Sequence, residues 1–219
     1  MMMRSITILV LMLGVLVGCS DNQGPNPNQR GVYMLLDTSG TYTEELDKAQ
    51  QIISYLLTQL NPGDAFAVAR IDTGSFSGED IIAKVALDDQ PSRANSQKRS
   101  FQQEIKDFMA NVQSAPHTDI TGGMLQATEY LNEHNPGQKT ILVFSDMKED
   151  LPEGYNRDIP LTLDGVEVVA VNVTKLRSDN VNPQEYLDRL DEWQKRVANA
   201  GGNWRVVNDL ERLGQLLKE

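Results

Sequence analysis

The stretch GVYMLLDTSGTYTEEL, Gly31–Leu46, passes without a break from an apolar run to a carboxylate, Asp37, and two hydroxyls, Ser39 and Thr41. A continuous apolar run of this length marks a strand buried on both faces of a sheet. Polar groups at the end of such a strand have three uses: a catalytic aspartate, a metal site, or a cap for the next helix. Thr41 and Glu44 stand at capping-box spacing, so this stretch by itself does not choose.

Working outward, Leu46, Ala49, Ile52, Ile53, Leu56, Leu57 and Leu60 recur at helical spacing, and NPGD at Asn61–Asp64 stops that helix. Ala65–Ile71 and Ile81–Leu87 flank a Gly/Ser-rich segment and read as a hairpin. A polar helix over Arg93–Ser114 follows, then a helix opening near HTD at His117–Asp119. Lys139–Asp146 (KTILVFSD) is a second buried strand that ends in an aspartate, and Gly165–Val173 is a third. A helix over Pro183–Ala200, a short strand at Trp204–Val207 and a last helix at Leu210–Leu217 complete the chain. The alternation predicts one α/β domain over residues 31–219. It is three-layered and doubly wound, its mostly parallel sheet having one antiparallel edge strand and helices on both faces. Functional crevices of such sheets lie at the carboxyl ends of the strands, where Asp37 and Asp146 both fall.

The first residues stand apart from this domain. Arg4 precedes an apolar segment, Ile6–Val17, too short for a membrane-spanning helix and suited to a secretory signal over residues 1–18. LVGC at Leu16–Cys19 resembles the bacterial lipobox, which implies cleavage before Cys19 and lipidation of that cysteine. The expected location is the cell envelope, lipid-anchored and facing the periplasm or the cell exterior. Ser20 favours the outer membrane, and Asp21 weighs against it. Residues 19–30 are then the lipidated cysteine and a polar Gly/Pro/Asn tether, expected to be disordered and to reach about 35–40 Å at ~3.3–3.6 Å per residue. The formal net charge is −11, and loss of Arg4 with the signal makes it −12. That balance excludes nucleic acid or anionic lipid as electrostatic partners.

The candidate groups gather on three loops: Asp37, Ser39 and Thr41; Thr118 and Asp119; Ser145 and Asp146. All are oxygen donors, a set that suits hard cations such as Mg²⁺, Mn²⁺ or Ca²⁺. DTSGT at Asp37–Thr41 is similar to the Asp-x-Ser-x-Ser element of von Willebrand factor type A domains. HTDITGGML resembles their threonine loop, and ILVFSDMKED the strand whose terminal aspartate completes their metal-ion-dependent adhesion site. The resemblance implies a metal set of Asp37, Ser39, Thr41, Thr118 and Asp146, with Thr118 preferred to Thr121, holding Mg²⁺ or Mn²⁺. It implies a membrane-anchored protein-binding module for adhesion or scaffolding, not an enzyme, whose metal is completed by an Asp or Glu of a protein partner. It further implies that the last helix shifts on ligation. Two residues depart from the pattern: Thr41 replaces a serine, and Met147 replaces a common glycine.

Other readings share these letters. Asp72–Ser75 spells the Asp-Thr-Gly-Ser of aspartic proteases, but those need two such aspartates in an all-β framework. LLDTSGT resembles the first motif of haloacid-dehalogenase-like phosphatases, with Asp37 as nucleophile. Ser39 stands where that family has its acid, and no acidic pair follows Val173. A purely structural envelope scaffold is the third alternative. His117 reads as a solvated loop residue, His134 as a helix end, Trp193 and Trp204 as core anchors, and Lys148–Asp150 (KED) as a solvated rim of the metal face.

Overall fold

The opening apolar run lies at the centre of a six-stranded sheet. The computed structural model describes residues 25–71, 78–209, 214, 216 and 217, leaving out the side chains of Thr41, Thr43 and Glu44. β1 (Asn26–Leu36) is flanked by β2 (Ala65–Arg70) and β4 (Pro136–Phe144), parallel to both. β3 (Ile81–Ala86) closes one edge antiparallel to β2, as the predicted hairpin requires. β5 (Val166–Val171) and β6 (Asn203–Val207) extend the other side in parallel, giving the order β3-β2-β1-β4-β5-β6. The predicted α/β architecture, including the antiparallel edge strand, is therefore the observed one.

Successive side chains of a strand point to opposite faces, so each buried strand feeds two cores. Val32, Met34, Leu36, Leu142 and Phe144 pack under α1 (Leu46–Gln59) and α2 (Pro91–Asn111), where Phe66 stacks on Phe101 with ring centroids 4.9 Å apart. Tyr33, Leu35, Ile141 and Val143 pack on the other face under α3 (Ile120–His134) and α4 (Pro183–Asn199). Each fully buried Leu, Ile or Phe contributes about 1.5–3 kcal/mol from burial, so both layers help to hold the sheet between them.

The approach of α3 is unusually close, and it positions the candidate site. β2 presents only Ala65, Ala67 and Ala69 to that face. A Cβ at Gly123 would stand 2.6 Å from Ile71 Cγ2 and 3.0 Å from Leu35 Cδ2, so only glycine lets the helix start against the ends of β1 and β2.

Asn26–Arg30, expected from composition to belong to a disordered tether, are the first residues of β1. Their partner is the equally early start of β4, with Asn26 opposite Pro136 and Arg30 opposite Gln138. The backbones come so near that a Cβ on Gly137 would overlap Pro27 Cα and the Asn26 carbonyl. Arg30 is tied further: its N–H donates to Asp64 Oδ1 at 2.8 Å, and its guanidinium lies 3.8 Å from Asp64 Oδ2. Long-range pairing thus overrides a polar, Pro-containing local sequence.

The signal over 1–18, Cys19, residues 20–24, Asp72–Ser75 and most of the predicted helix at Leu210–Leu217 lie outside the described residues. Of that last segment, Leu216 is buried in the core beneath α1 and α2. Among the described residues no helix is long and apolar enough to cross a membrane.

Candidate metal centre

β1 and β4 are neighbours, yet the chain leaves β1 for β2 on one side and later continues from β4 to β5 on the other. The sheet therefore has its topological switch point between them, where a crevice opens at the carboxyl ends. Asp37 directly follows β1 and Asp146 lies just past β4, one on each lip.

Three loops line the crevice, and backbone hydrogen bonds lace them together. Ser39 bridges to Ala115: the Gly40 N–H donates to the Ala115 carbonyl at 3.3 Å, and the Ala115 N–H to the Thr38 carbonyl at 3.0 Å. Thr118 and Asp150 exchange two N–H to carbonyl bonds, both 2.9 Å. The threonine loop is thus fastened to the loop after β1 and to the loop after β4.

Asp37 is 1% exposed. Its Oδ1 accepts from the Ser39 N–H at 2.8 Å and from Thr118 Oγ1 at 3.5 Å, and its Oδ2 accepts from Ser145 Oγ at 2.6 Å. Asp146 is half-buried and accepts from the Lys148 N–H at 2.8 Å. Burial raises the pKa of Asp37, against the pull of hydrogen bonds from Ser145, Ser39 and Thr118. Burial also raises that of Asp146; the Lys148 N–H opposes the rise, and the nearby charge of Asp37 adds to it. A cavity of about 300 Å³ opens between the loops, lined by Ser39, Gly40, Ala115, Pro116, Thr118, Asp146, Lys148, Asp150 and Leu176. Asp37 does not line it and reaches it through its hydrogen-bond partners.

Of the expected set, then, Asp37, Ser39, Thr118 and Asp146 converge. Thr41 lies in a 3-10 turn over Gly40–Glu45, with its side chain outside the description. Thr121 is occupied elsewhere: its hydroxyl accepts from Arg196 at 2.6 Å and its N–H donates to Glu149 Oε1 at 2.7 Å. Asp119 is the N-cap of α3, accepting from the Gly122 N–H at 2.8 Å, and it is paired with Arg157 at 2.7 Å. His117 is not the solvated residue its loop suggests. It is half-buried, and its Nδ1 is enclosed without a hydrogen-bond partner among the described residues.

Two supports lie outside the expected metal set, Ser145 named only as a candidate hydroxyl and Arg189 not at all. Ser145, wholly buried, donates to Asp37 and accepts from the Met147 N–H at 3.0 Å; its place beside Asp146 was the only clue. Arg189 on α4 donates from Nε to the Asp146 carbonyl at 3.0 Å and pairs with buried Asp179 at 2.8 Å, a fastening with no local sequence signal. Met147, in place of glycine, holds φ at +66°, a left-handed conformation that costs a non-glycine residue energy. The site tolerates it because the Met147 side chain is fully buried and its carbonyl accepts the Trp193 indole N–H at 2.9 Å.

Among the described residues no three His, Cys, Asp or Glu side chains gather where they could hold a metal ion. A cation here would rest on two carboxylates, hydroxyls and water. That donor set fits a hard cation, and such an ion would relieve the charge that burial disfavours at both aspartates and that the nearby Asp37 further disfavours at Asp146.

No protein-family model and no curated protein matches the chain. Solved structures do. A von Willebrand factor type A structure from Catenulispora acidiphila superposes with a TM-score of 0.53 at 14% identity, over 88% of this chain and 41% of that one. The pilus adhesin SpaC from Lactobacillus rhamnosus GG, in its open conformation, gives 0.53 at 12% identity, over 88% and 29%. The manganese-loaded TRAP protein of Plasmodium vivax gives 0.48 at 12% identity, over 88% and 73%. The chain thus spans less than half the length of the first two. At these identities the likeness is one of fold: the chain adopts the fold of a von Willebrand factor type A domain.

Proposed function

We propose that this chain is a divalent-cation-dependent protein-binding module of the cell envelope, not an enzyme, anchored through lipid on Cys19. Ser39, Thr118 and Asp146 would hold Mg²⁺ or Mn²⁺ directly, joined by Thr41, while Asp37 acts through water and its hydrogen-bond partners. An Asp or Glu of a protein partner would complete the coordination. The observation that carries this reading is the convergence of Asp37, Ser39, Thr118 and Asp146 at the switch point, with two carboxylates and, among the described residues, no ion pair to either, Arg189 and Lys148 acting on Asp146 only through their nearby charge. When bound, the cation reverses the local field of a strongly acidic chain and so admits a carboxylate.

The same geometry disfavours the phosphatase alternative. A nucleophilic Asp37 would need an accessible oxygen, yet both of its oxygens are hydrogen-bonded and the residue is 1% exposed. The anchor also acquires a direction. β1 enters the sheet at the pole opposite the crevice, and residues 20–25 span at most about 20–22 Å at ~3.3–3.6 Å each, so the site would face away from the bilayer.

Thermal unfolding of residues 20–219 with added Mg²⁺, Mn²⁺ or Ca²⁺ tests the reading. A ligand at about 100 times its Kd stabilises the native state by about 2.7 kcal/mol. A cation-dependent rise that Asp146→Ala loses is the expected result. No rise, in protein first stripped by a chelator, would leave only a structural scaffold.

A further inference from the structure

Lys148 has the means to take part in recognition. It is the one cation among the residues lining the crevice, it is exposed, and its side chain makes no hydrogen bond or ion pair among the described residues. Glu149, next along, behaves differently. Its carboxylate accepts the Thr121 N–H at 2.7 Å and lies 3.4 Å from Arg196, so it fastens the loop and takes no part in a solvated charge run. Asp150 likewise spends its backbone on the bridge to Thr118.

The backbone of Lys148 is placed just as firmly. Its N–H is held by Asp146 Oδ1 at 2.8 Å, and the left-handed turn at Met147, pinned by the Trp193 indole, sets where residue 148 begins. A free ammonium on a fixed backbone thus shares a cavity with the carboxylate that would hold the cation.

Building on the metal-site reading above, we propose that Lys148 is a specificity-determining residue: its ammonium takes one oxygen of the partner's Asp or Glu carboxylate while the cation takes the other. Two consequences follow from charge alone. Without a partner, Lys148 repels the cation and weakens its binding. At a separation of about 6–8 Å, in water-like dielectric and 0.1 M salt, the effect on affinity is on the order of threefold. With a carboxylate bound, that repulsion is relieved, so cation and acid each tighten the other, as linkage requires. Neutral oxygen ligands would gain nothing from Lys148.

The test is Mn²⁺ binding, followed by the loss of the free-ion paramagnetic resonance signal, in wild type, Lys148→Met and Lys148→Arg. Each is measured alone and with acetylated, amidated Gly-Asp-Gly or Gly-Asn-Gly peptide. Lys148→Met should bind Mn²⁺ alone roughly threefold more tightly than wild type, Lys148→Arg about equally. The Asp peptide should tighten Mn²⁺ in wild type and Lys148→Arg more than in Lys148→Met, and the Asn peptide in none. Equal Mn²⁺ affinity in wild type and Lys148→Met, or an equal gain from the Asp peptide, would overturn the role of Lys148 and leave the metal site standing. Absence of Mn²⁺ binding in all three proteins would remove the site itself.

Discussion

Two aspartates near the carboxyl end of the sheet are equally hidden from solvent, Asp37 deep in the fold and Asp179 just beneath its surface, and they are treated in opposite ways. Asp179, 1% exposed, accepts from Arg189 and from the Leu176 N–H, and the Arg189 hydrogen bond holds its pKa below the usual carboxylate range. Asp37, also 1% exposed, has only neutral donors among the described residues, and burial raises its pKa. The fold had arginines to spend: Arg157 satisfies Asp119, and Arg30 satisfies Asp64. A carboxylate left without one, beside a second with a raised pKa, is the feature on which the proposed cation site rests.

The sharpest way to break that contrast is Asp179→Ala. It strands the guanidinium of Arg189, 12% exposed, without its partner, and losing one member of a buried pair costs about 3–5 kcal/mol. At ~2–4 °C per kcal/mol for a domain of this size, thermal unfolding should begin roughly 10 °C lower. Because Arg189 also holds the Asp146 carbonyl, cation affinity should weaken as well.

Ser145→Ala removes the 2.6 Å hydrogen bond to Asp37 Oδ2, and a hydrogen bond to a charged group is worth about 1.5–3 kcal/mol. Chemical denaturation should register that loss at neutral pH. In acid, where Asp37 carries its own proton, the loss should shrink.

Asp146→Asn inverts the sign. The folded pKa of Asp146 is raised, so ionising it destabilises the native state. Without a cation, wild-type stability should therefore fall relative to the variant as pH climbs from the ordinary carboxylate value, about 3.9, through the raised one. The variant, which keeps an oxygen for the Lys148 N–H, should be the more stable at pH 7 and level with wild type in acid. Saturating Mg²⁺ should reverse the order. A wild type that stays the more stable at pH 7 in chelator would show that the site is already satisfied.

Thr118→Val is the smallest change. Its hydroxyl lies 3.5 Å from Asp37, the limit of a hydrogen bond, so unfolding should shift by no more than about 0.5 kcal/mol. Cation affinity should nonetheless fall, since the hydroxyl lines the cavity. An unchanged affinity would remove Thr118 from the ligand set.

Much of this was legible before any coordinates. Apolar runs such as Gly31–Leu36 and Ile141–Phe144 can be stable only when covered on both faces, and helical periodicity supplied the covers. Asp37 and Asp146 announced themselves because an ionisable group has no local reason to end such a run. Contacts made by distant segments were not legible. Asn26–Arg30 is polar and carries a proline, and it is a strand only because Pro136–Gln138 and Asp64 are there to pair with it. Nothing near Arg189 or Asp179 in the chain reports that their ion pair grips the Asp146 loop. His117 reads as solvated until the loop around it is fastened on both sides.

The sequence by itself determined the layers, the parallel sheet with its one reversed edge and the types of donor at its end, because periodicity and burial are properties of local composition. Only the tertiary structure decided that β1 and β4 lie side by side and which aspartates receive an arginine. Those outcomes depend on residues tens of positions apart, whose proximity is set by how α3 and α4 pack on the sheet.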